Sequence, residues 1–242
     1  MQQTMSAFPA RDFESLGYAS VHASAVPISF SYAGFASGAN DLHRAVIKRL
    51  ADIVLALAGL AMTAILMLPI AAAIRLTSKG PALFRQERIG LNGRRFVMLK
   101  FRTMHHIIED PGPCHQATRH DPRVTRVGAW LRHTSFDELP QFLNVLAGSM
   151  SVVGPRPHAP GTCAAGRPFE AITDRYADRH CIKPGMTGLA QIRGWRGETD
   201  TEEKLLRRID SDLEYIATWS LRGDLLIIWH TIKTVLCMPN AY

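Results

Sequence analysis

Cysteine is scarce in this chain, with four among 242 residues, at Cys114, Cys163, Cys181 and Cys237, and no C-x-x-C pair. So few and so scattered, they exclude a disulfide framework and point to a reducing, cytoplasmic setting. Also missing are G-x-x-x-x-G-K-[ST], H-E-x-x-H, G-x-S-x-G and G-x-G-x-x-G, so the common phosphate-loop, metalloprotease, hydrolase-elbow and dinucleotide fingerprints do not apply. The N-terminus lacks the basic, apolar, small-residue order of a secretory signal. Acid is the minority charge: 21 Asp+Glu against 28 Lys+Arg gives +7 at pH 7. That balance calls for an anionic partner, be it nucleic acid, a phosphorylated substrate or an acidic membrane surface. Nucleic acid is set aside, because the cations cluster beside an apolar segment and form no aromatic-interleaved stripe.

What is present is uneven. Residues 1–40 are rich in Ala, Ser and Gly, keep no helical or strand period, and read as a flexible tail. Then 22 residues from Ile53 to Ile74 carry no charge, about 33 Å of helix, enough to cross a bilayer core. Soluble helices keep a polar face, and this one has none. Arg44, Lys48 and Arg49 precede it while Arg75, Lys79 and Arg85 follow, so neither end is poorer in cations as a spanning helix would require. Pro69 lies inside the run, where it removes a hydrogen bond and bends the axis. The expectation is a helix that enters from the cytoplasmic face, breaks near Leu68-Pro69 and returns. Asp52 is expected at headgroup level, within i,i+4 reach of Lys48. The boundaries are a tail over 1–40, a membrane helix over 41–78 and a cytoplasmic domain over 79–242.

Residues 85–102, "RQERIGLNGRRFVMLKFR", hold six cations and one acid around a "GLNG" turn, which predicts a β-hairpin. Lys100 and Arg102 alternate with Leu99 and Phe101, and two cations on one strand face suit a phosphate-bearing ligand. The histidines between 105 and 121 match no common zinc spacing and read as loop residues. "RHTSFDELPQFLNVLAGSMSVVGPRP", from Arg132 to Pro157, is the most informative stretch. Asp137 and Glu138 precede Pro140 and an apolar-periodic helix, so Ser135-x-x-Glu138 fits a capping box and Asp137 an N-cap. A carboxylate there is also held ionised by the helix dipole, and the same amides attract phosphate. Cap and nucleophile are compatible roles. Residues 149–154 read as a short buried strand leading into Pro155-Arg156-Pro157, whose prolines stiffen the backbone around Arg156. Asp210-Ser211-Asp212 mimics a D-x-D metal motif but sits in a helical pattern near 200–217, opened by a Thr199 or Asp200 cap, and reads as a solvated face. That helix and Leu225–Met238, with Trp219 and Trp229 at their ends, read as interfacial amphipathic helices.

Taken together, "RQERIG" at 85–90, "KFRTM" at 100–104, "DPRVTRVGAWLRHTSFDELPQFLNVL" at 121–146, "MSVVGPRP" at 150–157, "KPGMTGLAQIRG" at 183–194 and "SLRGDLLIIWHTIKTVL" at 220–236 resemble the bacterial sugar transferase family. These are the monotopic polyprenyl-phosphate phosphoglycosyl transferases. The short form and the "AY" ending look like its exopolysaccharide-initiating members. The resemblance implies a mainly helical α+β, membrane-monotopic fold with a re-entrant broken helix, interfacial helices and a small β element. It implies transfer of a hexose-1-phosphate from a UDP-hexose to polyprenyl (undecaprenyl) phosphate, releasing UMP, at the cytoplasmic face of the inner membrane. Membrane lipid is then a partner, and downstream glycosyltransferases are candidate ones.

The family's Asp-Glu dyad falls on Asp137 and Glu138, its membrane-side pair on Lys48 and Asp52, and its helix break on Pro69, although Leu68 replaces the Ser that the family has there. Asp137 would attack the sugar-bearing phosphorus and form an aspartyl phosphosugar. Attack by one anion on another requires neutralisation, so Mg²⁺ is expected at Asp137 and Glu138, with Arg132 and Arg156, then Lys100 and Arg102, binding phosphate or nucleotide. Glu138 would serve the metal or act as a base. The competing reading is a membrane-anchored scaffold for polysaccharide-assembly proteins whose acidic pair is only a cap.

Overall fold

A computed structural model describes residues 39–105 and 121–237. The 106–120 histidines, Cys114 and nearly all of the 1–40 segment lie outside the described residues. The described residues are mostly helical, with three two-stranded sheets among them. Of the cysteines, Cys181 is a free thiol, whereas Cys163 is disulfide-bonded, a departure from the expectation of reduced thiols.

The first helix, α1 (Ala39–Thr77), has 39 residues and is long and apolar enough to cross a membrane by length and composition. The expected break near Leu68-Pro69 does not appear: one helix runs through Pro69, which has no N–H to offer the Ile65 carbonyl. One stripe is buried at Asp52, Ala56, Ile70 and Ile74, spaced by whole turns, while Val54, Leu57, Ile65, Leu68 and Leu76 stay exposed. Near its start, Asp52 is 2% exposed. It accepts from the Val152 amide at 2.9 Å, Ser151 Oγ at 2.8 Å and Lys48 Nζ at 3.3 Å. Lys48 also reaches Asp224 at 2.8 Å. The i,i+4 pair forms as expected, but Asp52 lies inside the protein and not among headgroups. Near the end of α1, Ile70 and Ile74 pack with Phe101 and Leu131. Both ends of the apolar helix therefore rest on the same folded body.

That body starts with the predicted hairpin, β1 (Leu83–Ile89) and β2 (Arg95–Phe101), antiparallel with Leu83 opposite Phe101 and Ile89 opposite Arg95. Its turn needs the left-handed region at Asn92 (φ 54°) and Gly93 (φ 72°), which these residue types tolerate best. Helices α2 (Arg126–Thr134) and α3 (Gln141–Ala147) follow. Asn144 on α3 docks the free edge of β2 as a neighbouring strand would: its amide donates to the Val97 carbonyl at 2.7 Å and accepts from the Leu99 N–H at 2.9 Å. Gly148 (φ 85°) ends α3 in the left-handed region. Arg49 of α1 donates to the Val145 and Leu146 carbonyls there, a cation at the negative end of the helix.

The predicted strand is β3 (Ser151–Val153), wholly buried and parallel to β6 (Gly185–Thr187). A Cβ on Gly185 would lie 2.1 Å from the Gly154 nitrogen, so the chains approach closely only because both residues are glycine. Between them lie the small β4 (Cys163–Ala164) and β5 (Arg167–Pro168) pair and two 3₁₀ stretches. A single helical turn, α4 (Leu189–Ile192), precedes α5 (Glu202–Thr218) and α6 (Leu221–Cys237).

These last helices depart from expectation. Thr201, not Thr199 or Asp200, caps α5, its hydroxyl accepting from the Lys204 amide. Leu205, Ile209, Leu213 and Ile216 are buried, which makes α5 a core helix and not an interfacial one. Asp210 is exposed and pairs with Arg175, as a solvated face requires. Asp212 is not solvated: it is buried and pairs with Arg179 at 2.7 Å. Only α6 keeps the amphipathic form, with Leu221, Leu225, Trp229 and Ile232 exposed and Asp224 and Ile227 buried. Trp219 turns inward, its Nε1 donating to Asp224.

Asp52→Ala leaves Lys48, Ser151 and the Val152 amide short of a buried acceptor, which should cost about 3 kcal/mol. The expected result is a melting temperature lower by roughly 10 °C in detergent or lipid discs, read by differential scanning fluorimetry.

Candidate active site

The acidic pair is placed by backbone geometry. Thr125 caps α2, accepting from the Gly128 amide at 2.8 Å. Gly128 lets α2 press on the end of the hairpin, since a Cβ there would meet the Thr103 carbonyl oxygen at 2.0 Å. The helix ends at Ser135 in the left-handed region (φ 61°), and Ser135 Oγ accepts from Arg196 at 2.7 Å. A tight 3₁₀ turn, Phe136–Glu138, follows before α3. Phe136 and Leu139 pack against the Ile70, Ile74, Phe101 and Leu131 cluster, so apolar neighbours on both sides pin Asp137 and Glu138. The expected capping box does not form. Ser135 makes no side-chain cap bond, and the residue before α3 is Pro140, which makes none either. Capping therefore does not account for the two carboxylates.

Their surroundings differ sharply. Glu138 Oε1 accepts from Lys100 at 3.1 Å and from Arg156 Nη2, and Oε2 accepts from Arg156 Nη1 at 3.3 Å. Burial alone would raise its pKa, but Arg156 and Lys100 outweigh burial and hold it well below the usual carboxylate range. Asp137 has no side-chain hydrogen bond among the described residues and is 7% exposed. Burial pushes its pKa up, the neighbouring Glu138 charge adds to this, and Lys100, Arg156 and Arg132 oppose it. Two adjacent carboxyls are thus driven apart in proton affinity, a pattern that separates roles at reacting centres.

The cations reach this point from several elements. Lys100 projects from β2, and burial lowers its pKa. Arg132, on the last turn of α2, donates from Nε to Thr103 Oγ1 at 3.0 Å. Arg156 is fixed by its backbone. The Pro155 carbonyl accepts from the Gly185 amide, the Arg156 carbonyl from Arg179 at 2.7 Å, and the Pro157 carbonyl from Arg88 at 3.2 Å. The paired prolines are therefore a clamped segment that holds one guanidinium in place. Arg102 does not join it. The strand ends at Phe101, alternation stops there, and Arg102 is buried where it donates to the Ser78 carbonyl at 2.7 Å and Ser78 Oγ at 2.9 Å. It ties the hairpin to the end of α1. Lys48 and Asp52 do not join the acidic pair either, being engaged with each other, Asp224 and β3.

Sequence reasoning missed Arg88 and Arg196. Arg88 is lowered to about 10 by burial and the nearby Arg156 charge, and Arg196 adds positive field at Glu138. Neither carries a motif beyond being a cation in a basic chain. Behind them, Arg179 bridges Asp212, His158 Nδ1 and the Arg156 carbonyl. Burial, with Arg179 and Arg208 adding to it, holds His158 well below its ordinary pKa and thus neutral. Five cations (Lys100, Arg88, Arg132, Arg156 and Arg196) act on two carboxylates, a surplus that favours a multiply charged anion.

The family model described as Bacterial sugar transferase matches residues 43–238. The chain belongs to that family. It is 47% identical over 217 residues to an Escherichia coli K12 protein named UDP-glucose:undecaprenyl-phosphate glucose-1-phosphate transferase, covering 90% of this chain and 45% of the relative. A Caulobacter vibrioides protein of the same name is 52% identical over 81% of this chain and 72% of its own length. The Rhizobium leguminosarum exopolysaccharide production protein PSS is 47% identical over 81% of this chain and 98% of its own. The chain spans about half the length of the E. coli relative, under three quarters of the Caulobacter one, and nearly all of the Rhizobium protein.

Asp212→Ala strands Arg179 in the interior, and a loss of about 3–5 kcal/mol is expected. Asp210→Ala, at an exposed pair, should change stability by less than about 1 kcal/mol. Thermal melts of the two variants side by side check the contrast.

Proposed function

We propose that this bacterial sugar transferase moves a hexose-1-phosphate from a UDP-hexose to polyprenyl (undecaprenyl) phosphate, releasing UMP. The observation that carries the reading is the split acidic pair: a held, ionised Glu138 and a buried, unbonded Asp137 inside a surplus of cations, beside an apolar helix. UDP-glucose is the expected donor, because the E. coli and Caulobacter relatives are named for it. The Rhizobium relative is named an exopolysaccharide production protein, and in this reading the product begins an exopolysaccharide repeat unit that downstream glycosyltransferases would extend.

In this reading, an Asp137 carboxylate oxygen attacks the phosphorus that bears the sugar. A P–O bond forms, the bond to the bridging oxygen breaks, and UMP leaves with that oxygen. A phosphate oxygen of the polyprenyl phosphate then attacks the same phosphorus and expels Asp137 as carboxylate, giving the polyprenyl diphosphate sugar. Arg156, Lys100 and Arg132 hold the diphosphate and spread its charge. With both oxygens engaged, Glu138 positions Lys100 and Arg156. The pair offers the hard oxygen donors that Mg²⁺ takes, and no third His, Cys, Asp or Glu joins them among the described residues. That fits an ion completed by water and substrate phosphate. Bound there, chiefly at Asp137, Mg²⁺ would neutralise charge on the diphosphate.

The membrane arrangement follows from α1. Its start is held by Asp52 and its end by Ile74 and Arg102, all on one domain, which supports a re-entrant helix with both ends on the cytoplasmic face and Pro69 near its deepest point. A helix spanning the bilayer would part those contacts. Residues 41–78 then form the membrane element and 79–242 the catalytic part.

Release of UMP from UDP-glucose by protein in lipid discs, with undecaprenyl phosphate and Mg²⁺, should fall about 10³-fold or more in Asp137→Asn and stop on chelation. Undiminished release in Asp137→Asn would sink the covalent mechanism at Asp137, and no release from any UDP-hexose would leave the scaffold reading. The nucleophile must be ionised, so the acid limb of kcat/KM should lie above the ordinary carboxylate range, because burial raises the Asp137 pKa. Removing the Lys100 charge in Lys100→Met should move that limb to still higher pH, and Glu138→Gln should move it lower. A pH–rate series on the three proteins checks both signs.

A further inference from the structure

Beside the acidic pair lies an apolar groove of about 500 Å³ between the second half of α1 and the outer face of α2. Leu66, Pro69 and Ala73 form one wall, Trp130 and Phe136 the other, and Arg126 is the one charged side chain on its lining. Trp130 and Phe136 meet edge to face, with centroids 5.5 Å apart and planes at 87°. Two features tie the groove to the chemistry. Phe136, on the groove wall and packed against the Leu131 cluster, immediately precedes Asp137 in the chain. Leu66 and Trp130 are 39% and 51% exposed, so its outer end opens onto the apolar face of α1.

We infer that this groove takes the first isoprene units of the lipid acceptor, guiding its phosphate to Asp137 while the rest of the tail stays in the membrane. The inference rests on the transferase reading and adds to it the place of the tail. A phosphate on an apolar chain needs an apolar track close to cations, and the groove is apolar, carries Arg126 on its lining, and has Leu131 and Phe136, the chain neighbours of Arg132 and Asp137, in its walls. An acyl chain of bulk phospholipid would fit the walls, but its headgroup has no reason to lie at Asp137. Pro69 lines the groove as well. Its ring adds a flat apolar surface there and no N–H.

The test fills the groove. Ala73→Trp places an indole within it, whereas Ala72→Trp places one on the neighbouring exposed position of α1. In lipid discs, Ala73→Trp should raise KM for undecaprenyl phosphate about tenfold or more. KM for a one-isoprene phosphate, whose single unit is among those the groove takes, should rise as well, while KM for UDP-glucose and kcat should stay within about twofold, which also shows that the variant is folded. Ala72→Trp should change none of these. An unchanged KM for undecaprenyl phosphate in Ala73→Trp, or an equal rise in KM for UDP-glucose, overturns the inference. A second measurement needs no variant and no turnover. A polyprenyl phosphate with a photoreactive group on its first isoprene should label Trp130 or Phe136, and unlabelled undecaprenyl phosphate should suppress that labelling. If a photoreactive phosphatidylglycerol labels those residues instead and undecaprenyl phosphate does not displace it, the groove holds bulk lipid and the inference fails. Wild-type protein that labels as expected yet releases no UMP from any UDP-hexose would sink the transferase reading and not the groove.

Discussion

Everything in this fold hangs on a knot of charge at the start of the apolar helix. Lys48 bridges two buried carboxylates, Asp52 and Asp224, which between them take hydrogen bonds from β3, from Tyr215 of α5 and from Trp219. One ammonium and two carboxylates in the interior are tolerable only with many hydrogen bonds, and here three reach Asp52 and three reach Asp224. The knot joins α1, the central strand and the last two helices at one point. It thereby fixes the height of the catalytic body against the segment that meets lipid. Burial raises the Asp224 pKa despite Lys48, so protonation of Asp224 on acidification would loosen this joint.

The second organising feature is asymmetry within the acidic pair. Adjacent residues on a 3₁₀ turn point in different directions, and the chain uses this to give Glu138 two cations and Asp137 no hydrogen bond. Arg156 is held by its own clamped backbone and Lys100 by the hairpin that Asn144 docks. The charges around Asp137 are thus set before any substrate arrives, which is what electrostatic preorganisation requires.

Much of this was legible in the residues, and the rest had physical reasons not to be. The hairpin, the buried strand and the Lys48–Asp52 pair came from local signals: a turn, an apolar run, an i,i+4 spacing. The Asp210–Asp212 pair did not, because helical periodicity tells which residues share a face and not that Arg179, 33 residues earlier, waits in the core for Asp212. Arg102 shows the same limit: alternation predicts a shared face with Lys100 only while the strand lasts, and it ends one residue too soon. The cap reading of Ser135 and Glu138 failed because Ser135 adopts a left-handed conformation that closes the preceding helix. Arg88 and Arg196 were invisible, since nothing local separates a cation in a site from one on a surface.

The docking of Asn144 onto β2 has a consequence beyond positioning Lys100. A two-stranded ribbon leaves an open row of amides and carbonyls on each side, and such a row recruits further strands from other molecules. A side-chain amide satisfies the Val97 carbonyl and the Leu99 N–H but carries no backbone onward, so pairing stops with it. On the opposite strand, the Ile89 amide is taken by the His158 carbonyl. Asn144 along β2, and the His158 carbonyl at the end of β1, thus occupy groups that an incoming strand would need, which disfavours growth of the ribbon by strand addition.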